Sequence, residues 1–356
     1  MVMAVSRAER KWDHIHFAVE QQHPHSTAFK DVQFVHQSLP DLNLHDVRLE
    51  HKIGELSLGS PIFINAMTGG GGEVTWQINK SLAKAAKETG LAMAVGSQMS
   101  AIKDPNERYT YEVVREENPS GVIIANIGSE ATPEQAKVAV EMIKADALQI
   151  HLNVIQELTM PEGDRDFSGT LASISAILDA VDVPVIVKEV GFGMSRETVS
   201  TLQEVGVSIV DVGGFGGTNF ASIENKRREH SFPFFNHWGI PTAVSIVEAT
   251  HASTNLSIIG SGGIQSSLDV AKALALGADA AGMAGVFLQT LMEKGLESLL
   301  QEIEKLQKEL IVIMTALGAR TIADLKRAPL IISGKSAHWL SERGIDTSQY
   351  SRRTIK

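Results

Sequence analysis

The chain has 356 residues, 43% hydrophobic and 21% charged, with 30 glycines, no cysteine and a formal charge of −10. These figures favour one sizeable globular unit over a disordered, fibrous or disulfide-stapled chain. The missing cysteines exclude thiol nucleophiles, thiolate metal sites and disulfides, and the acidic balance, with no clustered basic run, argues against a nucleic-acid partner.

The N-terminus carries Arg7, Glu9, Arg10, Lys11 and Asp13 with no apolar core before a cleavage site, so no signal peptide is read and a cytoplasmic location is expected. The apolar stretches Gly121 to Gly128 and Ala278 to Met292 are short or glycine-broken. A membrane span needs roughly 18 to 20 unbroken apolar residues, so no membrane partner is expected. Residues 1–57 hold seven of the twelve histidines and a short helical pattern from Arg7 to Glu20, with little strand periodicity. They read as an arm or lid on the domain that follows. Arg10 and His14 fall four apart on one helical face. The pairs His14/His16 and His23/His25 lack a third ligand at fixed spacing and do not make a zinc site.

From Pro61 onward, short runs of Val, Ile and Ala alternate with longer amphipathic stretches. The predicted strands are Pro61 to Ala66, Ala92 to Gly96, Val122 to Asn126, Ala147 to Leu152, Pro184 to Val190, Ser208 to Val212, Leu256 to Gly260 and Ala280 to Ala284. Near-continuous apolar runs suit strands buried on both faces of a parallel sheet. Thr132 with Pro133 and Glu134, and Ser195 with Glu197, are helix-start signals, while Gly90, Gly206 and Gly277 sit where helix C-caps are expected. Eight such units over residues 58–318 predict an α/β fold, a (β/α)8 TIM barrel, and its size is close to the roughly 250 residues usual for that fold. A doubly wound open sheet is the rival, but no reversal point is evident. One long helix is predicted from Val286 to Leu317, its leucine stripe read as core or subunit packing, and residues 319–356 as an extension packed on the barrel.

Barrel active sites lie at the C-terminal strand ends, and here nearly every strand ends in polar residues or glycine. Gly262 and Gly263 after the seventh strand, and Ala284 and Gly285 after the eighth, suit close approach of backbone N–H groups to a phosphate, helped by a helix N-terminus. Tight turns alone would also use glycine. Lys188 lies inside the apolar strand Val185, Ile186, Val187, Lys188, so it projects into the barrel mouth or pairs with a buried acid. A Schiff-base lysine and a cation facing a reduced flavin are the functional readings. Gln156 and Glu157 follow the fourth strand, and a lone carboxylate there suits Mg2+, which keeps several waters and takes few protein ligands. The acids Glu162, Asp164 and Asp166 read as solvated loop charges. His151, at the same strand end, reads equally as a core histidine or a substrate contact.

Several strings together carry a resemblance that covers almost the whole chain. They are Arg10-Lys11 with His14, Ala66-Met67-Thr68-Gly69-Gly70, Gly96-Ser97-Gln98, Asn126-Ile127-Gly128, and His151-Leu152-Asn153 followed by Gln156-Glu157. Further on come Val187-Lys188-Glu189-Val190-Gly191, Gly216-Gly217-Thr218, Trp238-Gly239-Ile240-Pro241-Thr242-Ala243, Ser261-Gly262-Gly263-Ile264 and Ala284-Gly285. The chain resembles the type 2 isopentenyl-diphosphate isomerases, FMN-dependent barrels that interconvert isopentenyl and dimethylallyl diphosphate in isoprenoid biosynthesis. The resemblance implies flavin contacts at Ala66, Met67, Thr68, Ser97, Asn126, Lys188 and Thr218, with Gly262, Gly263, Ala284 and Gly285 holding the FMN phosphate. It implies substrate contacts at Arg10, Lys11, His14, Ser97, Gln98, His151, Asn153 and Gln156. Glu157 is the implied Mg2+ ligand, with Glu224 a further candidate near the diphosphate. Gln156, Lys188 and His151 are the implied catalytic residues. Met99 stands where some members carry a basic residue, which weakens the case for a substrate contact there.

The same resemblance implies that FMN acts reduced and is not consumed, that NADPH or NADH primes it, and that the chain forms a homo-oligomer, tetramer or octamer. No GxGxxG fingerprint marks a nicotinamide site. An FMN-dependent hydroxy-acid oxidase or dehydrogenase on the same barrel is the alternative. It wants a histidine and an arginine after strands seven and eight, where this chain has Gln265.

Overall fold

The computed structural model describes residues 26–67, 69, 71–252 and 255–355. Arg10, Lys11, His14 and Thr68 lie outside the described residues.

Twelve short strands are described, and the first three precede the barrel. β1 is Val32–Phe34, β2 His51–Ile53 and β3 Leu56–Leu58. The sequence reading found no strand here, because three residues are too few to show a period of two. The barrel strands follow: β4 (Ile62–Ile64), β5 (Ala92–Ala94), β6 (Ile123–Gly128), β7 (Ala147–Leu152), β8 (Val185–Glu189), β9 (Ile209–Asp211), β10 (Ser257–Ser261) and β11 (Ala280–Met283). They pair in parallel and in chain order, and β11 closes on β4. This is the (β/α)8 barrel, with each predicted strand at its place.

The cap signals are also used as read. Thr132 makes a capping box with Gln135, with Pro133 in the first turn, and Ser195 accepts from the Thr198 amide. Gly90 ends its helix at φ +70°, where a Cβ would be strained.

Strand alternation builds the interior in layers. Inward residues Phe63, Ala92, Ala94, Ile124, Ala147, Ile186, Ile209, Ile259 and Ala280 form one apolar cluster. Ile53, Leu56 and Leu58 of the antiparallel β2–β3 hairpin join that cluster and plug the barrel from within. Two residues further along the strands the same face reads Asn65, Gly96, Asn126, Gln149, Lys188, Asp211, Ser261 and Gly282. A single pleat step thus turns an apolar floor into a buried polar layer beneath the C-terminal mouth.

The long C-terminal helix differs from expectation. It runs Gly285–Leu317 but breaks at Gly295, whose φ of 82° and ψ of 178° are not helical. Of its stripe, Leu299, Ile303, Leu306 and Leu310 are buried in the chain's own core, and Leu296 and Leu300 are partly buried against it. In residues 319–355 the helices Ile322–Leu325 and Gly334–Glu342 touch the barrel helices Ser267–Leu276 and Thr242–Thr250. β12 (Leu330–Ile332) pairs antiparallel with β1. Arg343 bonds the buried Glu248 at 2.9 Å and Trp339 bonds it at 3.1 Å.

Candidate active site

The described polar layer is a connected hydrogen-bond network. The Asn65 amide donates to Asp211 Oδ2 at 2.7 Å, Ser261 Oγ donates to Asp211 Oδ1 at 2.5 Å, and the Asn126 amide donates to Gln149 Oε1 at 2.8 Å. Lys188 Nζ lies 3.9 Å from Asp211 Oδ2 and donates to the Glu189 carbonyl at 2.6 Å. Lys188 therefore satisfies both halves of the sequence expectation: it reaches the mouth and it pairs with a buried acid. Asp211 and Gln149 were missed. The signal was the one used for Lys188, a polar residue alone among apolar strand neighbours.

Above this layer a cavity of about 570 Å³ opens at the C-terminal face. Its wall includes Ala66, Met67, Ser97, Asn126, His151, Asn153, Gln156, Glu157, Lys188, Thr218, Gly262, Gly263, Ala284 and Gly285. The fold brings these sequence-predicted site residues together from all eight barrel strands and the loops after them. Gln98 is the exception. It is fully buried, its amide donates to the Ala139 carbonyl at 3.0 Å, and its Oε1 accepts from the Asn126 amide N–H at 3.0 Å. The expected substrate contact at Gln98 is therefore corrected: its side chain turns into the layer between sheet and helices, where it braces the Asn126 backbone. Met99 beside it is buried too.

One wall is made of glycine. Gly262 (φ +107°) and Gly263 (φ +69°) hold conformations that disfavour a side chain, and a Cβ on Gly262 would stand 2.0 Å from the Gly214 carbonyl oxygen. The loops after β9 and β10 are thus pressed backbone against backbone. Beside them the helix beginning at Gly285 presents its N-terminus to the cavity. Bare backbone, a helix N-terminus and a buried ammonium fit the phosphate and the electron-rich ring of FMN.

The opposite wall is acidic. Glu130, Glu157, Glu162 and Asp164 line it, and Glu162 and Asp164 are exposed there, solvated charges at the cavity rim. Asp166 is exposed and, among the described residues, bonds Ser168. Glu157 accepts from the Asn153 amide and from the Asp164 N–H, each at 2.8 Å. Burial nonetheless raises its pKa above the ordinary carboxylate value, the two hydrogen bonds opposing the shift. Glu162 pairs with Arg227 at 2.7 Å, and Arg227 also bonds the buried Glu224, which does not line the cavity. Among the described residues no three His, Asp or Glu side chains gather closely enough to hold a metal unaided. A single carboxylate sharing a magnesium ion with substrate phosphate oxygens and water fits this arrangement.

A family profile described as FMN-dependent dehydrogenase matches residues 106–332. The chain is 60% identical over 349 residues to an isopentenyl-diphosphate delta-isomerase of Geobacillus sp. (strain WCH70), covering 98% of this chain and 100% of that one. It is 56% identical over 352 residues to the enzyme of the same name from Bacillus pumilus (strain SAFR-032), covering 99% of each. Among solved structures, a mandelate oxidase variant superposes with a TM-score of 0.67 at 18% identity, covering 92% of this chain and 100% of that one. A flavocytochrome b2 variant gives 0.68 at 19%, covering 94% and 85%. These two likenesses show the shared barrel alone. The chain belongs to the FMN-dependent dehydrogenase family of barrels and, within it, to the isopentenyl-diphosphate delta-isomerases.

Proposed function

We propose that the cavity interconverts isopentenyl diphosphate and dimethylallyl diphosphate by a 1,3-allylic proton shift, using reduced FMN and Mg2+, as a step of isoprenoid biosynthesis. The observation that carries this reading is the division of one cavity into a glycine and lysine wall for the flavin and a Gln156–Glu157 wall for a metal-bound diphosphate. Reduced FMN, when bound, supplies an acid/base group and an electron-rich face for the cationic character that develops on the alkene.

The residues of the chain do the rest. Lys188 offers a positive charge to the reduced ring. Glu157 holds Mg2+ against the diphosphate, and Asn153 steadies Glu157. His151 and Gln156 bind and orient the substrate, with Gln156 placed beside the metal ligand. Lys103 ends the helix Met99–Lys103 at the cavity wall and makes no ion pair among the described residues, so it is free to meet a phosphate. Arg10, Lys11 and His14 belong to the N-terminal arm ahead of the first described residue and complete the cationic side. A chain of charge −10 has no long-range attraction for a diphosphate, so these local charges must do the binding. NADPH or NADH as the priming reductant, a cytoplasmic location and assembly as a tetramer or octamer are carried from the family resemblance. No helix among the described residues is long and apolar enough to cross a membrane.

The hydroxy-acid oxidase reading draws on the distant barrel likenesses alone. The two readings part on flavin stoichiometry: oxidation reduces one flavin per product, whereas the isomerase turns over repeatedly after one reduction. Purified protein reduced once, with Mg2+ and isopentenyl diphosphate, should convert many equivalents. Conversion that stops at one equivalent, or that needs continuous reductant, would reject the isomerase.

A further inference from the structure

Asp211 is a fully buried acid in the layer under the cavity, and nothing in the proposed chemistry uses it. Its Oδ1 accepts from Ser261 Oγ at 2.5 Å and from the Gly213 N–H at 3.2 Å, and its Oδ2 accepts from the Asn65 amide at 2.7 Å. Three donors thus converge on one carboxylate. The remaining neighbour is Lys188 Nζ, 3.9 Å from Oδ2 and across adjacent strands in register. Lys188 lines the cavity, whereas Asp211 does not. The pair therefore stands on end, with the ammonium toward the cavity and the carboxylate behind it.

We infer that Asp211 is a positioning residue that fixes the Lys188 ammonium as half of a buried ion pair and thereby sets the reduction potential of the bound flavin. The inference rests on FMN occupying this cavity. A bare buried ammonium beside a flavin strongly favours the more negative, reduced state. With Asp211 behind it, the flavin meets a dipole whose positive end is nearer, and the bias toward reduction is smaller. Asp211 also shares its donors with the strands that carry Asn65 and Ser261, so the ammonium cannot relax away from the cavity wall.

The experiment is a midpoint-potential titration of the FMN holoprotein carrying Asp211→Asn, with Asp211→Ser as a second variant that keeps an acceptor for Ser261 in less volume. Both should favour reduced over oxidised FMN at least tenfold more than the parent, a rise of about 30 mV for a two-electron couple. Lys188→Met alone should lower the potential. If Lys188→Met lowers the potential while both Asp211 variants bind FMN with the parent potential, Asp211 is only a structural acid and the inference is overturned. If the parent binds no flavin, or if Lys188→Met leaves the potential untouched, the flavin reading of this cavity fails first.

Discussion

Nδ1 of His151 lies 3.0 Å from Oδ1 of Asn126 on the neighbouring strand. The Asn126 amide nitrogen already donates to Gln149 at 2.8 Å, so its oxygen is the atom that faces the ring and must accept. This puts a proton on Nδ1, so the ring meets a diphosphate oxygen only when Nε2 also carries a proton and donates. His151→Ala should weaken binding of inorganic pyrophosphate by about tenfold or more, the loss of one hydrogen bond to a charged group at roughly 1.5–3 kcal/mol. Flavin absorbance should be retained. Calorimetry on the holoprotein with Mg2+ checks this, and parental affinity would return His151 to a purely structural role.

Lys103→Met should raise KM for isopentenyl diphosphate about tenfold while kcat changes little, because a cation at the cavity rim contributes to ground-state and transition-state binding alike. Lys103→Arg should restore most of the loss. An unchanged KM in Lys103→Met would leave the lysine as ordinary surface.

Glu157 carries a pKa raised by burial, and a metal ligand must be ionised to bind. Mg2+ affinity should therefore fall with decreasing pH, starting above the range in which a solvent-exposed glutamate protonates. Glu157→Gln should need at least tenfold more Mg2+ and lose that pH dependence, with flavin binding intact. Titration with Mn2+ followed by its paramagnetic resonance reads the metal directly.

Glu189 gives a pH signature in stability. Burial pushes its carboxyl up to about 8, although the Phe192 and Gly193 N–H groups bond the ionised form. Between about pH 4.5, where an unfolded glutamate ionises, and pH 8, the folded chain keeps a proton that the unfolded chain has lost. This contribution is full below that window and is lost as pH rises through it. Glu189→Gln should flatten the fall, as read from urea midpoints at pH 5 and pH 8.5. Parallel pH profiles for the two proteins would contradict the assignment.

Gly262→Ala should lower FMN affinity at least tenfold and also lower the melting temperature, since a Cβ at φ +107° meets the Gly214 carbonyl at 2.0 Å and the β9 and β10 loops must part. Retained yellow colour through dialysis would show that the loops accommodate it.

How far the sequence could be read follows from where its periods hold. The barrel strands were legible because each is a short apolar run closed by polar residues or glycine, and β7 matches residue for residue, Ala147 to Leu152. Alternation stops with the strand, and this misplaced Gln98. β5 ends at Ala94, and four residues later the chain has turned into a helix whose N-cap is Gln98, so its direction owes nothing to the strand. Asp211 and Gln149 were legible in principle, standing two residues after the inward Ile209 and Ala147. Gly295 gave no warning because one glycine in a leucine-rich helix reads as a tolerated defect until its φ is seen to be positive. Glu162 and Asp164 are solvated as their acid-rich loop suggests, but that they border the cavity depends on neighbours in space that the sequence does not show.

The central claim is that this barrel moves a proton on an isopentenyl diphosphate held beside reduced FMN and Mg2+. Proton magnetic resonance of isopentenyl diphosphate incubated in deuterated water with the once-reduced holoprotein and Mg2+ tests it most directly. The account predicts deuterium in substrate and product, dimethylallyl diphosphate accumulating over many turnovers, and neither event with the oxidised protein. Absence of deuterium from both compounds under reduced conditions, in protein that retains its flavin, would contradict it.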